Sequence, residues 1–264
     1  LILEGSDLLT SKKNEKLEFV RENSLTIKVE LQNDNEIGEM IAFIKNGDNF
    51  DFLGNIEVLQ LPSINPNNID SVNELTSLMA MHCSLTSLSC SQISTIADFS
   101  QLHNLASFSC RHIEGDGNLK LSQLNHLESF SCLDIHEDAN ITLSQLPSLT
   151  SFSCLNIFVY GNFNLSQFNH LESFSCFDIH ENAKITLSEL PSLTSFSYKN
   201  IWENAKLELI QLSNLTSFSC FDIHENANIT LSQLSSLTSF SCRKISNNAK
   251  ITLSQLPSLT SFSF

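Results

Sequence analysis

L-E-S-F-S-C-F-D-I-H-E-N-A-K-I-T-L-S-E-L-P-S, from Leu171 to Ser192, is one turn of a 22-residue phrase that repeats from Leu121 to Phe264. Leu127, Leu149, Leu171, Leu193, Leu215, Leu237 and Leu259 each open the same words, L-[TE]-S-F-S-[CYF]. Units this short cannot bury an apolar face alone, so a strict period of this length specifies a solenoid of stacked coils. Within the phrase, Phe174 and Cys176 alternate with Ser173 and Ser175, which predicts a strand with ring and thiol inward and both hydroxyls outward. Ile179 anchors a polar turn, H-E-N, after which Ala183, Ile185 and Leu187 alternate again. Leu187, Leu190 and Leu193 are spaced by three, which suits a short extended or 3₁₀ segment better than an α-helix. Coils of this kind rise about 4.8 Å per turn and align their strands in parallel.

Outward from this phrase the repeat degrades toward the N-terminus. Regular units occupy 121–264 and irregular ones 56–120, where a long unit opens at Ile56 and a shorter one at Leu85. Ile69, Val72, Leu75 and Leu78 predict a helix inside the long unit, with Ser71 and Glu74 as its capping box. Residues 1–55 do not repeat. L-T-I-K-V-E-L from Leu25 reads as a half-buried strand, and Ile37, Met40, Ile41 and Ile44 fall on one face of a helix. Asp34 or Asn35 is the expected N-cap and Gly47 the expected C-cap. This segment is expected to cap the solenoid, since an open coil would leave core and strand edges bare. The chain opens without an initiator Met and stops at Phe264 in mid-phrase, so it reads as truncated.

The spacing L-x-x-L-x-x-L-x-x-F-x-C-x-x-I resembles the leucine-rich repeat family, in particular its short bacterial and protist versions, over roughly Ile56 to Phe264. The resemblance implies an α/β leucine-rich-repeat-like solenoid, mostly parallel β with short 3₁₀ or extended convex segments. In that family an Asn usually stands where this chain has Ile113, Ile135, Ile157, Ile179, Ile201, Ile223 and Ile245. An all-β parallel β-helix is the alternative, and the A-x-I-x-L second strand favours it.

Composition narrows function. The 14 basic and 29 acidic side chains give a formal net charge of -15, which opposes phosphate backbones and excludes nucleic acid as an expected partner. No stretch is long and apolar enough to insert in a membrane. Cys90, Cys110, Cys132, Cys154, Cys176, Cys220 and Cys242 share one column with Tyr198 and Phe264, and exchange with aromatic residues marks that column as core filling. A reduced, cytoplasmic setting is the expectation. The sequons at Asn140, Asn164, Asn214 and Asn228, and the truncated termini, keep a secreted or cell-surface setting as the alternative.

Columns also argue against chemistry. Ser131, Ser153, Ser175, Ser197, Ser219 and Ser241 are equivalent, whereas nucleophilic catalysis needs a singular constellation, so no catalytic residue, cofactor or metal is expected and the chain is read as non-enzymatic. His136, His180 and His224 recur every 44 residues in I-H-E turns. Two coils apart, about 9 to 10 Å, they cannot share one ion; the expectation is a polar turn facing water, with a pH-sensitive stripe as the rival.

Ligand choice in a rigid repeat is written where the repeat varies. The column after Cys reads Arg111, Leu133, Leu155, Phe177, Lys199, Phe221 and Arg243, and its neighbours are His112, Asp134, Asn156, Asp178, Asn200, Asp222 and Lys244. Exposed Leu and Phe beside carboxylates form an apolar strip rimmed by charge. The expected partner-binding residues are therefore Leu133, Leu155, Phe177, Phe221, Asp134, Asp178, Asp222, Lys199 and Arg243, on a scaffold for a protein partner that is basic or mixed in charge. A structural or adhesive solenoid, self-associating through the Phe264 end, is the second expectation, and a carbohydrate-active β-helix the third.

Overall fold

The computed structural model describes residues 2–4, 26–46, 53–114, 118–121, 123–136, 140–142, 146–158, 162–165 and 168–264. Stacked repeats of about 22 residues form a parallel β-solenoid, and two compact units divide the chain: Leu1–Leu127 with Asn140–Thr142, and Glu128–Ala139 with Leu143–Phe264.

In the first unit, Ile2–Glu4, Ile27–Glu30, Ile56–Leu61, Ser87–Ile93 and Ser107–Ile113 pair in that order, all parallel. A second sheet joins Ile96–Asp98, Asn118–Lys120 and Asn140–Thr142. Two helices stand beside them, α1 over Asp34–Lys45 and α2 over Ile69–His82. The cap of α1 lies one residue earlier than its sequence predicts: Asn33 Oδ1 accepts from the Glu36 N–H at 3.2 Å, and the Glu36 carboxylate returns to the Gln32 N–H at 2.9 Å. Asp34 and Asn35 are already helical, where Asp34 complements the positive end of the helix dipole. Gly47, like Leu25, lies outside the described residues.

Nor do Ser71 and Glu74 form a capping box. The α2 helix begins before them, its Ncap residue Asn68 makes no side-chain cap, and the Glu74 carboxylate instead pairs with Lys45 of α1. The Asn68 amide donates to Asp34 Oδ1 at 2.7 Å and to the Ser63 carbonyl at 2.8 Å, so it ties the two helix starts together. Val72, Leu75, Thr76 and Met79 are buried at i, i+3, i+4 and i+7, while Leu78 is only half-buried, because a helix face follows the 3.6 period rather than a step of three.

The second unit carries the regular coils. Ser129–Ile135, Ser151–Ile157, Ser173–Ile179, Ser195–Ser197, Ser217–Ile223, Ser239–Ile245 and Ser261–Ser263 pair in sequence order and in register, so Phe130 lies beside Phe152, Phe174, Phe196, Phe218, Phe240 and Phe262 in turn. The rings form a continuous stack: Phe152 lies 5.2 Å from Phe174 at an interplanar angle of 2°, and Phe174 lies 5.2 Å from Phe196 at 13°. A second parallel sheet joins Asn162–Asn164, Lys184–Ser188, Lys206–Ile210, Asn228–Ser232 and Lys250–Ser254. Leu193 donates its N–H to the Leu190 carbonyl at 3.2 Å, the i+3 geometry that the leucine spacing predicts.

The cysteine column is interior and in register, with Cys132, Cys154 and Cys176 all buried. Besides filling space, the thiols of Cys132, Cys176 and Cys242 donate to the carbonyls of Asp134, Asp178 and Lys244 at 3.2 to 3.4 Å, which satisfies backbone groups at the bend late in these three strands. A threonine column does the same at the strand entrance. Thr150, Thr194, Thr238 and Thr260 each donate a hydroxyl to the carbonyl of Glu128, Glu172, Thr216 or Thr238, one coil back, at 3.0 to 3.2 Å.

Candidate functional site

Strict alternation would place the residue after Cys outward and the following one inward. The seven-residue strands instead show buried Phe and Cys, then an exposed residue, a half-buried one and buried Ile. The chain bends there: the N–H groups of both Phe221 and Asp222 point at the single carbonyl of Lys199, at 2.9 and 3.1 Å. In the coil at 195–201 the strand is interrupted between Ser197 and Asn200. Two consecutive positions thereby leave the interior, and they hold every residue expected to bind a partner.

Leu133, Leu155, Phe177 and Phe221 keep 43%, 39%, 42% and 37% of their surfaces in water, against 0 to 4% for the core phenylalanines. They are brought into one column with one position per coil, so Leu133, Leu155 and Phe177 follow one another at about 4.8 Å and Phe221 lies two coils beyond Phe177, with Lys199 between them. The column's cations lie over its rings: Lys199 Nζ is 4.4 Å from the centre of Phe177 and 5.8 Å from that of Phe221, and the Arg243 guanidinium carbon is 4.4 Å from Phe221. Cation–π contact holds the long side chains flat on the strip, which makes it one surface rather than separate tips.

The neighbouring column behaves differently from a free acidic rim. The Asn156 amide donates to Asp134 at 2.6 Å and the Asn200 amide to Asp178 at 2.7 Å. Amides alternate with carboxylates, so like charges never face each other on adjacent strands, a juxtaposition that destabilises sheets. Asp134 and Asp178 therefore each spend one oxygen inside the ladder. Asp222 stands between Asn200 and Lys244 in register.

Sequence reading missed a third column, in the turns. His136, His180 and His224 are only half-exposed, because Phe158 and Trp202 occupy the same position in the intervening coils and stack between them. Ring centres lie 5.3 Å apart for His136 and Phe158, 3.8 Å for Phe158 and His180, 6.1 Å for His180 and Trp202, and 4.3 Å for Trp202 and His224, with planes within 23° throughout. The turn column is thus a ring ladder rather than a solvated stripe. Burial pulls the His180 imidazole below its ordinary value, against the opposing pull of the Asp178, Asp134 and Glu181 carboxylates. Burial likewise pushes the Cys154 thiol well up, which keeps it a protonated, unreactive core group.

No protein family matches this chain, and no curated protein or solved structure matches it either. Among the described residues, no helix is long and apolar enough to cross a membrane.

Proposed function

We propose that this chain is a non-enzymatic protein-interaction scaffold that binds a basic or mixed-charge protein partner along the strip from Leu133 to Arg243. The observation that carries this reading is the exposed, in-register column Leu133, Leu155, Phe177, Lys199, Phe221 and Arg243, in which three successive coils present apolar side chains and the cations beyond them lie over the Phe177 and Phe221 rings. Clustered apolar exposure beside charged groups is the make-up of interface hot spots, and a surface fixed by backbone pairing loses little conformational freedom on binding. The net charge of -15 favours encounter with cations.

For the coil itself we propose a leucine-rich-repeat-like cross-section. Support comes from the L-x-x-F-x-C-x-x-I run, whose named positions are buried from Leu171 to Ile179, and from the tight turn at Leu190–Leu193. The five-residue second strands support the all-β parallel β-helix instead, and the two readings differ in whether that side is a sheet or a set of turns.

Selection from a displayed peptide library tests the function. Basic peptides with alternating apolar residues should be enriched on the native chain and lost on the F177S/F221S variant, with circular dichroism unchanged. Equal enrichment on both proteins would remove the strip from consideration.

A further inference from the structure

We propose that the turn around His224 is a binding site for a guanidinium group, which inserts as the next rung of the ring ladder. The ladder stops there. Trp202 covers one face of His224, but the following coil places Ser246 in the ring position, as the pairing of Ile223 with Ile245 and the Ser246 N–H donated to the Ile223 carbonyl at 2.8 Å require. A hydroxymethyl group replaces a ring, and an open surface depression of about 420 Å³ lies at this point, lined by His224 and Ser246 together with Glu203, Glu225 and Lys244.

The wall specifies what fits. The ring planes in the ladder lie within 23° of one another, so a slot on His224 favours a planar group that can stack. Two carboxylates against one ammonium leave the wall net negative, and the chain as a whole carries -15, so the group should be a cation. A guanidinium meets both conditions: it is flat, stacks on aromatic faces, and presents paired N–H donors to a carboxylate, which an ammonium cannot do. Lys244 adds a place for a carboxylate carried by the same ligand. Glu203 and Glu225 are column mates with Glu181, but only at this coil does the ring column give way to Ser246. This site lies in the turns rather than on the strip, and the proposal does not rest on the strip being an interface.

Trp202 is the single tryptophan and touches the site through His224, so its fluorescence on the full chain reports occupancy. N-acetyl-arginine amide and free L-arginine should give saturable changes, confirmed by calorimetry. The neutral citrulline amide and the non-planar lysine amide should bind at least about tenfold more weakly. Tighter binding of free arginine would assign the site to the amino acid through Lys244, and tighter binding of the blocked amide would assign it to a peptide side chain. Ser246→Phe should fill the slot and abolish binding while the melting temperature holds or rises; if that variant misfolds, Ser246→Leu serves. Glu225→Gln should weaken arginine binding about three- to tenfold. No saturable response to either arginine form, equal responses to arginine and citrulline, or undiminished binding in the folded Ser246 variant would each overturn the proposal.

Discussion

Phe174 shows what a column position means at the scale of one side chain. It is fully buried between Phe152 and Phe196, and its loss opens a hole in the ring stack. Phe174→Ala should cost about 3 to 5 kcal/mol, read from urea denaturation; a loss below about 1 kcal/mol would mean the stack relaxes freely. His180 sets a pH dependence. Its imidazole is pulled below 6.5, so the unfolded chain takes up the proton first, and stability is full above that pH and falls as acid is added. The drop in urea midpoint between pH 7.5 and pH 5.5 should be smaller in His180→Phe than in the native chain, and an unchanged drop would contradict the burial argument. Buried columns were legible in the sequence because one residue type recurs through the regular coils, as Phe does at every step and Cys does with Tyr198 and Phe264 as its only exchanges. The ring ladder was not. Its members alternate between His and Phe or Trp, so a search for identity finds a 44-residue period and takes Phe158 and Trp202 for interruptions, although ring shape repeats every 22.

At the scale of the element, each regular coil from 182 onward turns on two residues with left-handed backbone. Asn182, Asn204, Asn226 and Asn248 have φ near 60°, which Asn tolerates; Glu189, Gln211, Gln233 and Gln255 hold φ of 53° to 58°, which their side chains do not favour. Gln211 is exposed, with its N–H donated to the Ser232 carbonyl at 3.1 Å, so the strain is set by backbone pairing rather than by its side chain. Gln211→Gly should stabilise by about 1 kcal/mol and Gln211→Val should destabilise, both measured by thermal and urea unfolding. The reverse order would show that the turn is not left-handed. The Asn corners fall in the polar turn that the sequence predicts after Ile179, whereas the second corners were illegible because Glu and Gln are not turn signals. Both helices, by contrast, were legible from their apolar spacing, and only their starts were misplaced: Asn33 caps α1 one residue earlier, and Asn68 at the start of α2 turns its amide to Asp34 instead of capping its own helix.

Across the molecule, the charge balance and the repeated coils work together. A chain at -15 repels itself, and within the coils of the second unit that repulsion is relieved locally, by amide–carboxylate alternation at Asp134, Asn156, Asp178 and Asn200 and by the Lys184–Glu208 pair at 4.0 Å. Partner binding on the strip should therefore weaken with salt only in its electrostatic part, while the F177S/F221S variant loses affinity at every salt concentration; a variant that binds normally in high salt would show that charge alone recruits the partner. The outward strip was legible because it varies inside a constant frame, but its bend was not, since two consecutive outward residues violate strand alternation. Strip, ring ladder and buried columns all require coils piled in register. Ser131 and Ser241 are separated by five coil steps, from Ser131 through Ser153, Ser175, Ser197 and Ser219. Spin labels carried on noncanonical residues at these two positions, which leave the cysteines untouched, should give by double electron–electron resonance a narrow distribution centred at about 24 Å. A broad distribution, or one centred beyond about 35 Å, would contradict stacking at one strand spacing per repeat.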